Sequence, residues 1–155
     1  MTRVSTVLVY VIQDDKVLLL HRNKEPNLGL WVAPGGKIEL HESPREAAFR
    51  ELREETGLVA DELTWRGLCT EVSPRPEWQW MLFIYVASRV HGRLQEDPRE
   101  GRLAWVDLDV YLRELDVPEA DRIFAPVILE NSDRGMIEAK FTYDGDLRLI
   151  AWEFY

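Results

Sequence analysis

The chain has 155 residues, 46% of them hydrophobic and 30% charged, with a formal net charge of −9; this is the profile of a soluble globular protein with room for one domain and a sizeable core. The acidic balance opposes non-specific attraction to duplex nucleic acid, which normally needs a basic stripe, and the longest apolar runs, residues 7–12 and 81–87, are too short to span a membrane. A single cysteine, Cys69, excludes an internal disulfide and reads as packing; with no charged-then-apolar leader pattern, the expected location is a reducing cytoplasm.

Residues 7–12 and 17–20 read as two buried strands joined through Gln13-Asp14-Asp15-Lys16. His21-Arg22-Asn23-Lys24 follows, either a solvated strand end or a place for an anion. Residues 25–29 form a loop and residues 30–33 a short strand in which Trp31 supplies core area. That strand runs into Pro34-Gly35-Gly36, where the lack of a Cβ lets backbone approach an ion or a phosphate.

The next segment is a helix with complete boundaries: Ser43 as N-cap, Pro44 at the first helical position, Glu46 closing a capping box, and Gly57 as the left-handed C-terminal residue. Ala48, Phe49, Leu52 and Thr56 make a stripe that packs, and Glu51, Glu54 and Glu55 make an acidic stripe beside it. The like-charged pairs cost a few tenths of a kcal/mol each, and anions in the last turns a further ~0.3–1 kcal/mol. Arg50 is placed to reach Glu46 and Glu54 at i±4, whereas Glu51 and Glu55 have no basic residue at i±3 or i±4. A hard divalent cation bound through oxygens, Mg²⁺ above all, would offset the conflict.

Residues 63–72 and 80–90 read as strands around the loop 73–78, which is either a pocket lid or a plain hairpin connection. An acidic loop, 95–102, precedes a strand at 103–106. Residues 107–115 and 119–130 read as helices, the second interrupted by Pro126, and residues 136–143 and 147–154 flank the turn Asp144-Gly145-Asp146 as a hairpin. His21, His41 and His91 lie on separate segments without metal-ligand spacing and read as structural.

Gly36, five residues, Glu42, seven residues, then Arg50-Glu51-Leu52-x-Glu54-Glu55-x-Gly57-Leu58 fill all nine fixed positions of the Nudix box, a match expected by chance on the order of 10⁻⁹ per starting point. The sequence resembles a Nudix hydrolase of the MutT and oxidised-purine nucleoside triphosphatase branch. The resemblance implies an α/β fold: one domain over residues 1–155, an α/β/α sandwich with a mixed sheet and a C-terminal β-hairpin. It also implies Mg²⁺ or Mn²⁺ on Glu51, Glu54, Glu55 and the Gly35 carbonyl, with Glu100, five residues before Trp105, as a further ligand. Such ions would assist attack of water on a phosphoric anhydride. Glu54 and Glu100 are both candidates for general base, and Arg50 and Glu42 are expected to support the carboxylates.

The implied substrate is a small nucleotide, with no duplex nucleic acid and no membrane as partner. A nucleoside triphosphate, 8-oxo-dGTP or another purine among them, would be cleaved to monophosphate and pyrophosphate. Arg22 and Lys37 are the expected substrate-binding cations, and Asp121 matches an aspartate that binds the base. Val32 and Ala120 depart from the pattern, standing where those relatives carry polar base readers. Two alternatives stay open. Pro74, sixteen positions beyond the box, matches ADP-ribose pyrophosphatases, and a catalytically silent Nudix-fold sensor is a rival of another class, against which the intact box acids speak.

Overall fold

The computed structural model describes residues 2–130, 133 and 135–155. Alternation builds the first strand, β1 (Val4–Gln13), which sends Val7, Val9 and Val11 to one side and Leu8, Tyr10 and Ile12 to the other. The chain turns at Asp14 and Asp15, both at positive φ, into β2 (Lys16–Arg22), and continues through β3 (Trp31–Val32) and β4 (Gly35–Lys37) to α1 (Pro44–Thr56). Then come β5 (Leu58–Ala60), β6 (Thr64–Val72), β7 (Trp80–Ala87), β8 (Val90–Gly92) and β9 (Gly101–Asp107). Helices α2 (Leu108–Arg113) and α3 (Glu119–Glu130) lead to β10 (Ile137–Tyr143) and β11 (Leu149–Phe154).

The large sheet runs β11-β10-β6-β7-β1-β2-β3, with β4 added on β1 and β9 on β2. It is mixed: β1 with β7 and β10 with β6 are parallel pairs, whereas β6 with β7 and β10 with β11 are antiparallel. Each face is covered. Ala47, Ala48 and Leu52 of α1 pack with Val7, Val9 and Val11 on one side; Phe124, Ala125 and Ile128 of α3 pack with Tyr10, Ile84 and Phe141 on the other. The expected α/β/α sandwich with a C-terminal hairpin is what the chain forms.

Several boundaries differ from the sequence reading. Beyond the short strand read at 30–33, Gly35 and Gly36 belong to a further strand, β4, paired with Leu8 and Val7. The strand expected over 80–90 is split: β7 ends at Ala87, and Val90–Gly92 pairs with Leu58–Ala60 in a separate two-stranded sheet. That pairing joins segments about thirty residues apart and has no local signature. Helix α3 runs through Pro126 instead of being interrupted by it. The lost backbone bond, worth about 3 kcal/mol or more in an isolated helix, is offset by burying Phe124, Ala125 and Ile128 on either side.

The ends of α1 form as read. Ser43 Oγ accepts from the Glu46 N–H at 3.1 Å, and the Glu46 carboxylate accepts from the Ser43 N–H at 2.9 Å. At the other end Gly57 has φ 80° and donates to the Arg53 carbonyl. Ser43→Ala is expected to lower stability by ~1 kcal/mol, readable as a shift of the urea midpoint with unchanged slope; an unshifted midpoint would show that tertiary contacts alone hold the helix start.

Candidate active site

The cap and the strand β4 deliver two glycines and three glutamates to one place. A Cβ on Gly36 would lie 2.5 Å from the Glu51 carboxyl, so the absence of a side chain is what lets that carboxyl sit over β4. A Cβ on Gly35 would collide with the Val7 carbonyl oxygen of the paired strand. The Gly35 N–H donates to Glu55 Oε2 at 3.1 Å, tying the helix to the strand.

Arg50 is the hub of the carboxylates. Its Nε and Nη2 bind Glu42 at 2.9 and 2.5 Å, Nη1 binds Glu51 at 2.8 Å and Glu54 at 3.1 Å, and Nη2 also donates to the Lys37 carbonyl at 3.0 Å. The Glu46 partner expected at i−4 is not used, because that carboxylate closes the capping box. Arg50 serves the neighbouring Glu51 instead, a contact that helical i±3 and i±4 counting misses. The Arg50 hydrogen bonds hold Glu42 down to about 2.

Glu55 has the opposite environment. Burial pushes its carboxyl up to about 8; the Gly35 N–H opposes this, and Glu51 and Glu100 add repulsion. Glu51 is likewise raised, chiefly by burial, while Glu54 reaches solvent with 60% of its side chain exposed. Glu100 lies close enough to repel Glu55, yet it is paired with Lys24 at 2.7 Å. Among the described residues no three acidic, His or Cys side chains converge as a ready metal cage. The donor set nevertheless fits a hard divalent cation: it is all oxygen, and burial raises Glu51 and Glu55, so that a cation beside them would favour their ionised forms.

A cavity of about 490 Å³ adjoins these groups, inside the range of roughly 300–1,000 Å³ usual for small-molecule sites. Gly35, Gly36, Glu55 and Arg22 line it, and so do Glu71, Trp78, Trp80, Asp121 and Tyr143. Arg22 Nε donates to the Pro26 carbonyl at 2.6 Å. Val32 also lines the cavity, whereas Lys37, Pro74 and Ala120 are not among the lining residues. Lys37 is exposed and enters the site through its carbonyl. The three histidines are occupied elsewhere or exposed: His21 stacks on Trp31 at 4.5 Å, and His91 pairs with Asp61.

Sequence reasoning passed over Glu71. The available signal was an acid two residues after Cys69, on the strand face that alternation assigns to the core. The Lys24–Glu100 pair was also missed, since its members are 76 residues apart.

The model of the NUDIX domain matches residues 1–127. The chain belongs to the Nudix family. It is 33% identical to the uncharacterized Nudix hydrolase YvcI of Bacillus subtilis, over 98% of this chain and 95% of that one. It is 34% identical to the oxidized purine nucleoside triphosphate hydrolase of Mus musculus, over 79% of this chain and 78% of that one. Among solved structures, a MutT protein from Bacillus halodurans superposes with a TM-score of 0.84 at 32% identity, covering 97% of each chain. This Nudix hydrolase is therefore an enzyme acting on phosphoric anhydride bonds, and the glutamates gathered round Arg50 are its Nudix-box acids.

Asp121 of this Nudix hydrolase supplies a pH test. Burial, then repulsion from Glu71, holds its carboxyl well above the ordinary value. A carboxyl whose folded pKa is raised stabilises the fold fully below its unfolded value, near ~3.9, and that contribution is lost as pH rises through the folded value. Asp121→Asn, neutral throughout, is expected to match wild type in melting temperature near pH 4 and exceed it by pH 7, by about 2–4 °C for each kcal/mol recovered. A difference that stays flat across that range would contradict the buried proton.

Proposed function

We propose that this hydrolase cleaves a purine nucleoside triphosphate to the monophosphate and pyrophosphate, with Mg²⁺ or Mn²⁺ held by Glu51, Glu54, Glu55 and the Gly35 carbonyl, and with Glu100 close by. The observation that carries the reading is one cavity lined both by Glu55, Gly35 and Arg22 and by Asp121 and Trp78, so that anhydride and base have places in a single space. The similarity to a mouse enzyme named for oxidized purine nucleoside triphosphates supports the same substrate class.

When bound, the cation would offset charge on the phosphate oxygens and lower the pKa of a water. Arg50 fixes Glu51 and Glu54, which would hold it, through bonds of 2.8 and 3.1 Å. Arg22 adds a positive charge on the cavity wall for the phosphates. Glu54, exposed and outside the buried pair, and Glu100, once free of Lys24, are the two groups able to take a proton from water. Asp121, with its proton retained, offers both a donor and an acceptor to a base, and Trp78 offers a face or edge for its ring.

The deciding experiment is a screen of nucleoside triphosphates, 8-oxo-dGTP, ADP-ribose and diadenosine polyphosphates with Mg²⁺, products identified chromatographically. Monophosphate and pyrophosphate from purine triphosphates are expected. Strong turnover of ADP-ribose with little of any triphosphate would replace this reading by the ADP-ribose pyrophosphatase one, and no turnover of any compound would favour the sensor. Thermal melts add an independent check. Millimolar Mg²⁺ is expected to raise the midpoint relative to excess chelator, since the folded carboxylates bind it and the unfolded chain does not; an unchanged midpoint would remove the cation from the proposal.

A further inference from the structure

Glu71 sits where a strand facing the core should carry an apolar side chain. It follows Cys69 on the inward face of β6, opposite Trp80 on β7 and Phe141 on β10. Its Oε1 accepts from the Tyr143 hydroxyl at 2.7 Å, and Tyr143 is in turn braced by Trp78, with ring centroids 4.5 Å apart. Glu71, Tyr143, Trp78 and Asp121 all line the cavity. The neighbouring Trp80 carries the buried side-chain N–H that lacks a hydrogen-bond partner among the described residues. Buried polar groups left this sparsely satisfied are costly and call for a partner that a ligand can supply.

Burial raises both carboxyls; the Tyr143 hydroxyl opposes this at Glu71, whereas Glu71 adds to it at Asp121. Tyr143, with its own ionisation suppressed by burial and then by Glu71, stays a donor. Glu71 is thus an acceptor with one oxygen held by Tyr143 and one to spare.

We propose that Glu71 determines which base the cavity admits: with one carboxylate oxygen held by Tyr143, the other accepts a hydrogen bond from an exocyclic amino group of a purine. This rests on the nucleoside triphosphate reading and names its preferred class, amino-bearing purines over counterparts that lack the amino group. A carboxylate in that wall also disfavours a base that turns a carbonyl oxygen towards it, because two acceptors then face each other without a proton between them.

The test compares kcat/KM for GTP against ITP and for ATP against purine riboside triphosphate, pairs that differ by the amino group alone. In the wild type at least one amino-bearing member is expected to be favoured by about tenfold or more. Glu71→Gln keeps the shape and the Tyr143 bond through its amide oxygen but turns an N–H towards the base, so that ratio is expected to fall to about one or below. Tyr143→Phe, which frees the carboxylate, should reduce the ratio in the same sense. A wild-type ratio near one in both pairs, or a ratio that survives Glu71→Gln, overturns the proposal. If no triphosphate is hydrolysed, the triphosphate reading itself fails. The base preference is then read without catalysis, from quenching of Trp78 and Trp80 fluorescence by GMP and IMP: tighter GMP binding that Glu71→Gln abolishes sustains Glu71, and equal binding overturns it.

Discussion

Glu55→Gln is expected to lower turnover by about two or more orders of magnitude, the scale of losing a group that would hold the proposed cation, with Glu54→Gln expected to do the same. The two should part company in stability. Glu55 has a folded value of about 8 against an ordinary 4.5, so its contribution is complete below the ordinary value and is lost as pH rises through about 8. Without divalent cation, Glu55→Gln should therefore melt with the wild type at pH 4 and above it at pH 8. With Mg²⁺ the order should narrow or reverse, since the wild type alone retains the full carboxylate set. Glu54 is exposed, and its substitution should leave the melting temperature nearly unchanged. Near-normal activity of either variant, or full activity in excess chelator, would remove these carboxylates from the chemistry.

Gly35→Ala and Gly36→Ala should fail in different ways, although the residues are adjacent. At Gly35 the added methyl meets the Val7 carbonyl of the paired strand, and only a backbone shift relieves it. A loss of about 3 kcal/mol, or roughly 6–12 °C in melting temperature, is expected, with activity falling because the fold does. At Gly36 the methyl meets the Glu51 carboxyl, the far end of a side chain that can swing away. The fold should survive with a near-normal melting temperature, while the Mg²⁺-induced rise shrinks and turnover drops by about a hundredfold. Equal melting temperatures for the two variants would break the distinction, and a fully active Gly36→Ala would show that the placement of Glu51 over β4 is immaterial.

The sequence by itself determined the family and the acidic helix. Caps, helical periodicity and the nine box positions act over a few residues, so Ser43, Glu46 and Gly57 delimit α1 as read, and the chain covers both sheet faces with helices as expected. Tertiary structure decided the rest. It split the strand over 80–90 to pair Val90–Gly92 with Leu58–Ala60, and it carried α3 through Pro126 by burying its flanks. It also gave Arg50 to Glu42 rather than Glu46, and it set Lys24 on Glu100. The cavity wall is the clearest case. Glu71 and Tyr143 are 72 residues apart and meet because β10 runs parallel to β6. The bond between them depends on a strand register that long-range packing selects, and nothing in the local order of residues around either one encodes it.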